Sequence, residues 1–86
     1  MDNKTRLYEL LAQIDNIQDI EMLLEDLCTR KEVENMAERL YAAQLLLAGN
    51  TYTQVMSQVN ISSATLSRVS QCVQYGAGYS KLLPKD

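Results

Sequence analysis

From Ser62 to Gln71 the chain reads SSATLSRVSQ: hydroxyls, one amide, one guanidinium and no carboxylate. At helical spacing Ser63, Ala64, Ser67, Arg68 and Gln71 share an outward face. Short polar side chains let a helix approach a surface closely, and an arginine among them can pair bidentately with guanine in a DNA major groove. Tyr52, Thr53 and Ser62 stand near the starts of two helix-like patterns, where donors reach phosphates. The chemistry these residues suggest is recognition of double-stranded DNA. Catalysis finds no comparable grouping. The chain has no histidine, its carboxylates are scattered by helical period, and its glycines, at 49, 76 and 78, form no phosphate loop. No enzyme is expected.

To present such a face, two short helices must be held at a steep angle by a few apolar residues on their facing sides. Val55 and Val59, four apart, and Leu66 and Val69, three apart, have that spacing, with Ile61 at the corner. Asn60 stands where the chain must turn, a position that favours glycine or asparagine in a left-handed conformation, and Ser62 follows as an N-cap. Met56 lies mid-helix where a small residue packs best, which predicts local widening or a methionine that fills a gap. The pattern predicts a helix-turn-helix over about 52–73. Similar helix pairs occur in bundles that never touch DNA, so spacing alone leaves a plain helical module open.

Upstream, Leu7, Leu10, Leu11 and Ile14 predict a helix over about 3–14, broken by Asp15-Asn16. Ile20, Leu23, Leu24 and Leu27 predict a second, with Asp19 as its cap and its end near Cys28. Thr29-x-x-Glu32 is a capping box opening the longest helix, which Val33, Met36, Ala37, Leu40 and Leu47 carry to Gly49-Asn50. Tyr75-Gly76-Ala77-Gly78-Tyr79 closes the last long helix, leaving a short tail over 76–86 whose Leu82-Leu83 would dock on the body or on a partner chain. No strand-like alternation is long enough for a sheet. The fold class is all-α.

Eighty-six residues make one domain, and 47% of them are hydrophobic. That is more apolar side chain than a small helical monomer hides, so self-association is expected. Cys28 and Cys72 have neither histidine nor a second cysteine nearby, which argues against zinc and for buried thiols in a reducing cytoplasm. The five tyrosines read as core edges or interface anchors. The opening MDNKTRLYELL has no signal-like apolar region and no apolar run approaches 18 residues, so neither secretion nor membrane spanning is expected. The net charge is −3, but ten acidic residues stand before Leu40 and none between Leu40 and Lys85. The half with the reading pattern is weakly basic. DNA affinity would then need the combined contacts of a dimer.

Between Ile20 and Tyr79, and most specifically in EDLCTRKE, TYTQV and SSATLSRV with the later YG and GY, the chain resembles the Trp-repressor-like family of small bacterial proteins, and within it the YerC/YecD subgroup. The resemblance implies an intertwined all-helical homodimer whose two recognition helices face outward, on half-sites roughly 34 Å apart. It also implies DNA-binding transcriptional regulation. Thr29, Arg39 and Arg68 stand where the family's tryptophan repressor holds its corepressor, which makes them the matching positions for an effector pocket. Val69 stands where that repressor has glycine, and a β-branched side chain there would fill the space of a flat indole. No resident cofactor is therefore expected, and tryptophan or another small effector is disfavoured.

The reading is a cytoplasmic, dimeric regulator of transcription, a repressor, whose partners are double-stranded DNA and a second copy of the chain, with no membrane. The alternative is a dimeric helical protein–protein interaction module that keeps the fold without reading DNA.

Overall fold

The computed structural model describes residues 2–84, which form six α-helices and no strand: α1 (Asn3–Gln13), α2 (Ile17–Leu27), α3 (Arg30–Leu47), α4 (Tyr52–Gln58), α5 (Ser63–Tyr75) and α6 (Gly78–Leu82). They belong to two compact units, one up to Val33 and one from Glu34, with the division inside α3. The arrangement is all-α with a helix-turn-helix, as the spacing predicted.

In the first unit, each helix start is fixed by a side chain that satisfies an orphan N–H of the first turn. The Thr5 N–H donates to Asp2 Oδ1 at 2.7 Å, and this backbone hydrogen bond holds the Asp2 carboxyl below its ordinary pKa. The second helix starts earlier than the spacing suggested. Asn16, not Asp19, is its cap: the Asp19 N–H donates to Asn16 Oδ1 at 2.8 Å, and Asn16 Nδ2 donates back to Asp19 Oδ2 at 2.9 Å. Asp19 is the reciprocating third residue of the helix, so Ile17 lies within it. Thr29 and Glu32 form the expected box, with the Glu32 N–H to Thr29 Oγ1 at 3.1 Å and the Thr29 N–H to Glu32 Oε1 at 2.8 Å. No residue of α1 or α2 is fully buried. Leu7, Leu10, Leu11, Ile17, Ile20 and Met22 are all exposed.

The second unit holds the core: Ala42 and Ala43 of α3, Val55 and Val59 at α4, and Leu66 and Val69 of α5. The paired alanines have little side chain to keep other elements away from α3. Gly49 then ends that helix at φ +98°, the left-handed region. Its N–H donates to the Leu46 carbonyl and the Asn50 N–H to the Leu45 carbonyl, both at 3.0 Å, the paired bonds of a Schellman ending. Asn50 has no positive φ; its side-chain amide instead donates to the Leu45 carbonyl at 2.9 Å.

The region after Tyr75 is more than a tail. It contains α6, and Tyr79 and Leu83 pack partly buried on the core while Leu82 stays exposed. Cys28 and Cys72 are free thiols of intermediate exposure, less enclosed than the buried thiols expected. No helix among the described residues is long and apolar enough to cross a membrane.

Candidate nucleic-acid interface

The helix-turn-helix is built from α4, the corner over residues 59–62, and α5. Its first helix opens on a capping box that sequence reasoning missed. Thr51 Oγ1 accepts from the Gln54 N–H at 3.2 Å, and Gln54 Oε1 accepts from the Thr51 N–H at 2.7 Å. The signal was legible, since threonine followed three places on by glutamine is the neutral form of the box seen at Thr29. Val55 and Val59 are buried on one side of this helix, and Met56 points away from them, 44% exposed. Met56 belongs neither to the core nor to the side chains packed on it, so it fills no gap there.

The corner is tight. The Ile61 N–H donates to the Val59 carbonyl at 2.9 Å, a three-residue turn with Asn60 at its apex. This corrects the expectation for Asn60: among the described residues only Gly49 has a positive φ. An inverse γ-turn reverses the chain at negative φ, so no left-handed residue is required. Ile61 enters the apolar cluster, and Ser62 becomes the N-cap of α5, its Oγ accepting from the Thr65 N–H at 3.2 Å.

On α5 the inward face is Leu66, at 0% exposure, and Val69 at 2%. The outward face is Ser63, Ala64, Ser67, Arg68 and Gln71, every one exposed; Tyr52, Thr53 and Ser62 are exposed as well. All eight residues singled out for DNA contact therefore lie on the surface of this unit, and five of them share one helix. Ala64, Ser67, Arg68 and Gln71 follow the three-four spacing of a single stripe. The Ser62 side chain is committed to its cap, which leaves the backbone N–H groups of the first turn of α5 as the donors nearest it.

The pattern of the Trp repressor protein family matches residues 3–85, nearly the whole chain. The chain belongs to the Trp repressor family. The uncharacterized protein YerC of Bacillus subtilis (strain 168) is 34% identical over 71 residues, covering 83% of this chain and 68% of YerC. A candidate Trp repressor from Staphylococcus aureus, known from its crystal structure, is similar at 29% identity with a TM-score of 0.87, covering 92% of this chain and 80% of that one.

Within this member of the Trp repressor family, two of the three positions matched to the effector pocket come together. Arg39 of α3 and Arg68 of α5 line one open cavity of about 380 Å³, walled by Val69, Leu40 and Tyr79. Two guanidiniums over an apolar floor suit an anion with an apolar body. Val69 stands in that wall as the β-branched residue the sequence flagged. Arg39 also lines a second, polar cleft of about 260 Å³ with Asn60, Ser62 and Thr65, beside the start of α5. Thr29 belongs to the other unit, where its hydroxyl is engaged as a helix cap.

Proposed function

We propose that this protein is a DNA-binding transcriptional regulator, a repressor, that reads a near-palindromic site as a homodimer. The observation that carries the reading is the outward stripe of α5: small donors and one arginine, all exposed, with no carboxylate anywhere in the helix. A recognition helix of this kind comes close to base edges, where Arg68 pairs with guanine. Membership of the Trp repressor family supports the same reading. The exposed leucines and isoleucines of α1 and α2 support the dimer, since a second copy would cover apolar surface the chain leaves open. A dimer also answers the weak basicity of one copy, because each module offers few phosphate contacts. The role is binding without catalysis.

The test is selection from a random duplex library at stated moderate salt, with Arg68→Ala in parallel and with tryptophan present or absent. The expected result is a two-fold symmetric motif that the variant fails to enrich and that tryptophan leaves unchanged. Loss at the guanine should be about 1–3 kcal/mol per half-site. Equal affinity of Arg68→Ala for preferred and scrambled duplexes would remove the role of Arg68. No enrichment by either protein would favour a helical protein–protein interaction module.

A further inference from the structure

The segment Tyr75-Gly76-Ala77-Gly78-Tyr79 carries two tyrosines with opposite fates. Tyr79 is half-buried against the core, whereas Tyr75, the last residue of α5, is 85% exposed. Its side chain offers an apolar ring with a polar hydroxyl tip to whatever approaches that helix end. It is also not loose. The Gly76 N–H donates to the Cys72 carbonyl at 2.9 Å, and a Cβ on Gly76 would stand 2.7 Å from that oxygen, so only glycine turns the chain away so closely there. Ser80 Oγ donates to the Val73 carbonyl at 3.1 Å and ties α6 back to the last turn of α5. Tyr75 is thus presented to solvent from a braced helix end.

Its position on the helix is specific. At about 100° per residue, Tyr75 lies roughly 20° from the direction of Ala64 and continues the stripe of Ala64, Ser67, Arg68 and Gln71. At about 1.5 Å per residue it stands roughly 16 Å along the axis from Ala64. The major groove is about 12 Å wide, so a helix with its first turns at the base edges brings a residue that far along to the sugar-phosphate wall. A phenol suits that place, with an apolar body to lie against the sugars and a hydroxyl to donate to a phosphate oxygen.

We infer that Tyr75 is a DNA-backbone anchor at the far end of the reading stripe, donating its hydroxyl to a phosphate at the edge of the groove. The inference rests on the DNA-reading role proposed above. The contact is neutral, so it adds affinity without releasing counterions and without base preference.

The experiment is a salt titration of duplex binding by the full-length protein and its Tyr75→Phe and Tyr75→Lys variants, on preferred and scrambled sites, with oligomeric state measured alongside. Tyr75→Phe should weaken binding roughly tenfold per contact on both duplexes with the salt slope unchanged. Tyr75→Lys should steepen the slope by about 0.9 per phosphate met. Wild-type binding with no change in either variant would overturn the inference and leave the DNA-reading role standing. A change in oligomeric state with unchanged DNA affinity would overturn it by making Tyr75 a self-association contact. Absence of wild-type binding to any duplex would overturn both.

Discussion

The two units of this chain solve the burial problem differently. The unit from Glu34 onward closes a core of its own around Ala42, Ala43, Val55, Val59, Leu66 and Val69. The unit before it has two amphipathic eleven-residue helices, carefully capped, and no fully buried residue in either. Caps and apolar stripes specify a helix, but they do not stabilise it without something to pack on. The same physical chemistry therefore yields a self-contained helix-turn-helix in one region and an unfinished surface in the other. What completes that surface, in the reading proposed here, is a second copy.

The contrast breaks most visibly at Leu66. Leu66→Ala should cost about 2–5 kcal/mol, measured by denaturant unfolding, because the side chain is wholly enclosed and the cavity has little room to collapse. Leu10→Glu tests the other region. The leucine is 45% exposed, so the variant should remain folded while its dimer dissociates at least about tenfold more readily in sedimentation. Unaltered self-association would place the interface elsewhere. The thermal midpoint of the wild-type protein should also rise with protein concentration.

The two capping boxes sharpen the comparison. Thr51→Ala should cost about 1 kcal/mol in the thermal stability of the second unit, since it frees an N–H of a helix only seven residues long. The smallest effect is on pH. The backbone hydrogen bond from Thr29 lowers the pKa of Glu32 in the folded chain. Its contribution is complete above the ordinary glutamate range and is lost as the pH falls through the lowered folded value. The Thr29 and Glu32 amide resonances should shift over that acid range, and Glu32→Gln should flatten the response. The neutral Thr51–Gln54 box should stay unchanged throughout.

Much of this architecture was readable from residue types. Apolar spacing located the cores of α1 to α5, and Val55, Val59, Leu66 and Val69 are buried as their periodicity required. The outward positions of α5 follow from the same period. The failures share a cause: a local rule was applied without its alternative. Asp19 satisfies the rule for a cap and equally that for the third helical residue; only the geometry of Asn16 decides between them. Asn60 fits a left-handed turn, yet a three-residue turn reverses the chain without one. Met56 stands mid-helix in sequence, but its exposure follows from the helix phase, which one residue type does not fix. The five-residue α6 is too short to show a period, and its packing depends on contacts distant in sequence.

Helix α5 keeps two vocabularies that share no letters. Leu66 and Val69 hold the helix in the domain, while Ala64, Ser67, Arg68 and Gln71 have no part in that task. Exchanges among the outer four leave the buried set untouched and should move stability by no more than about 0.5 kcal/mol each. Under the DNA-reading role proposed above, a duplicated copy of this gene could therefore acquire a different target by rewriting the outer words alone. The two descendants would diverge in what they recognise while remaining, in their interiors, the same protein.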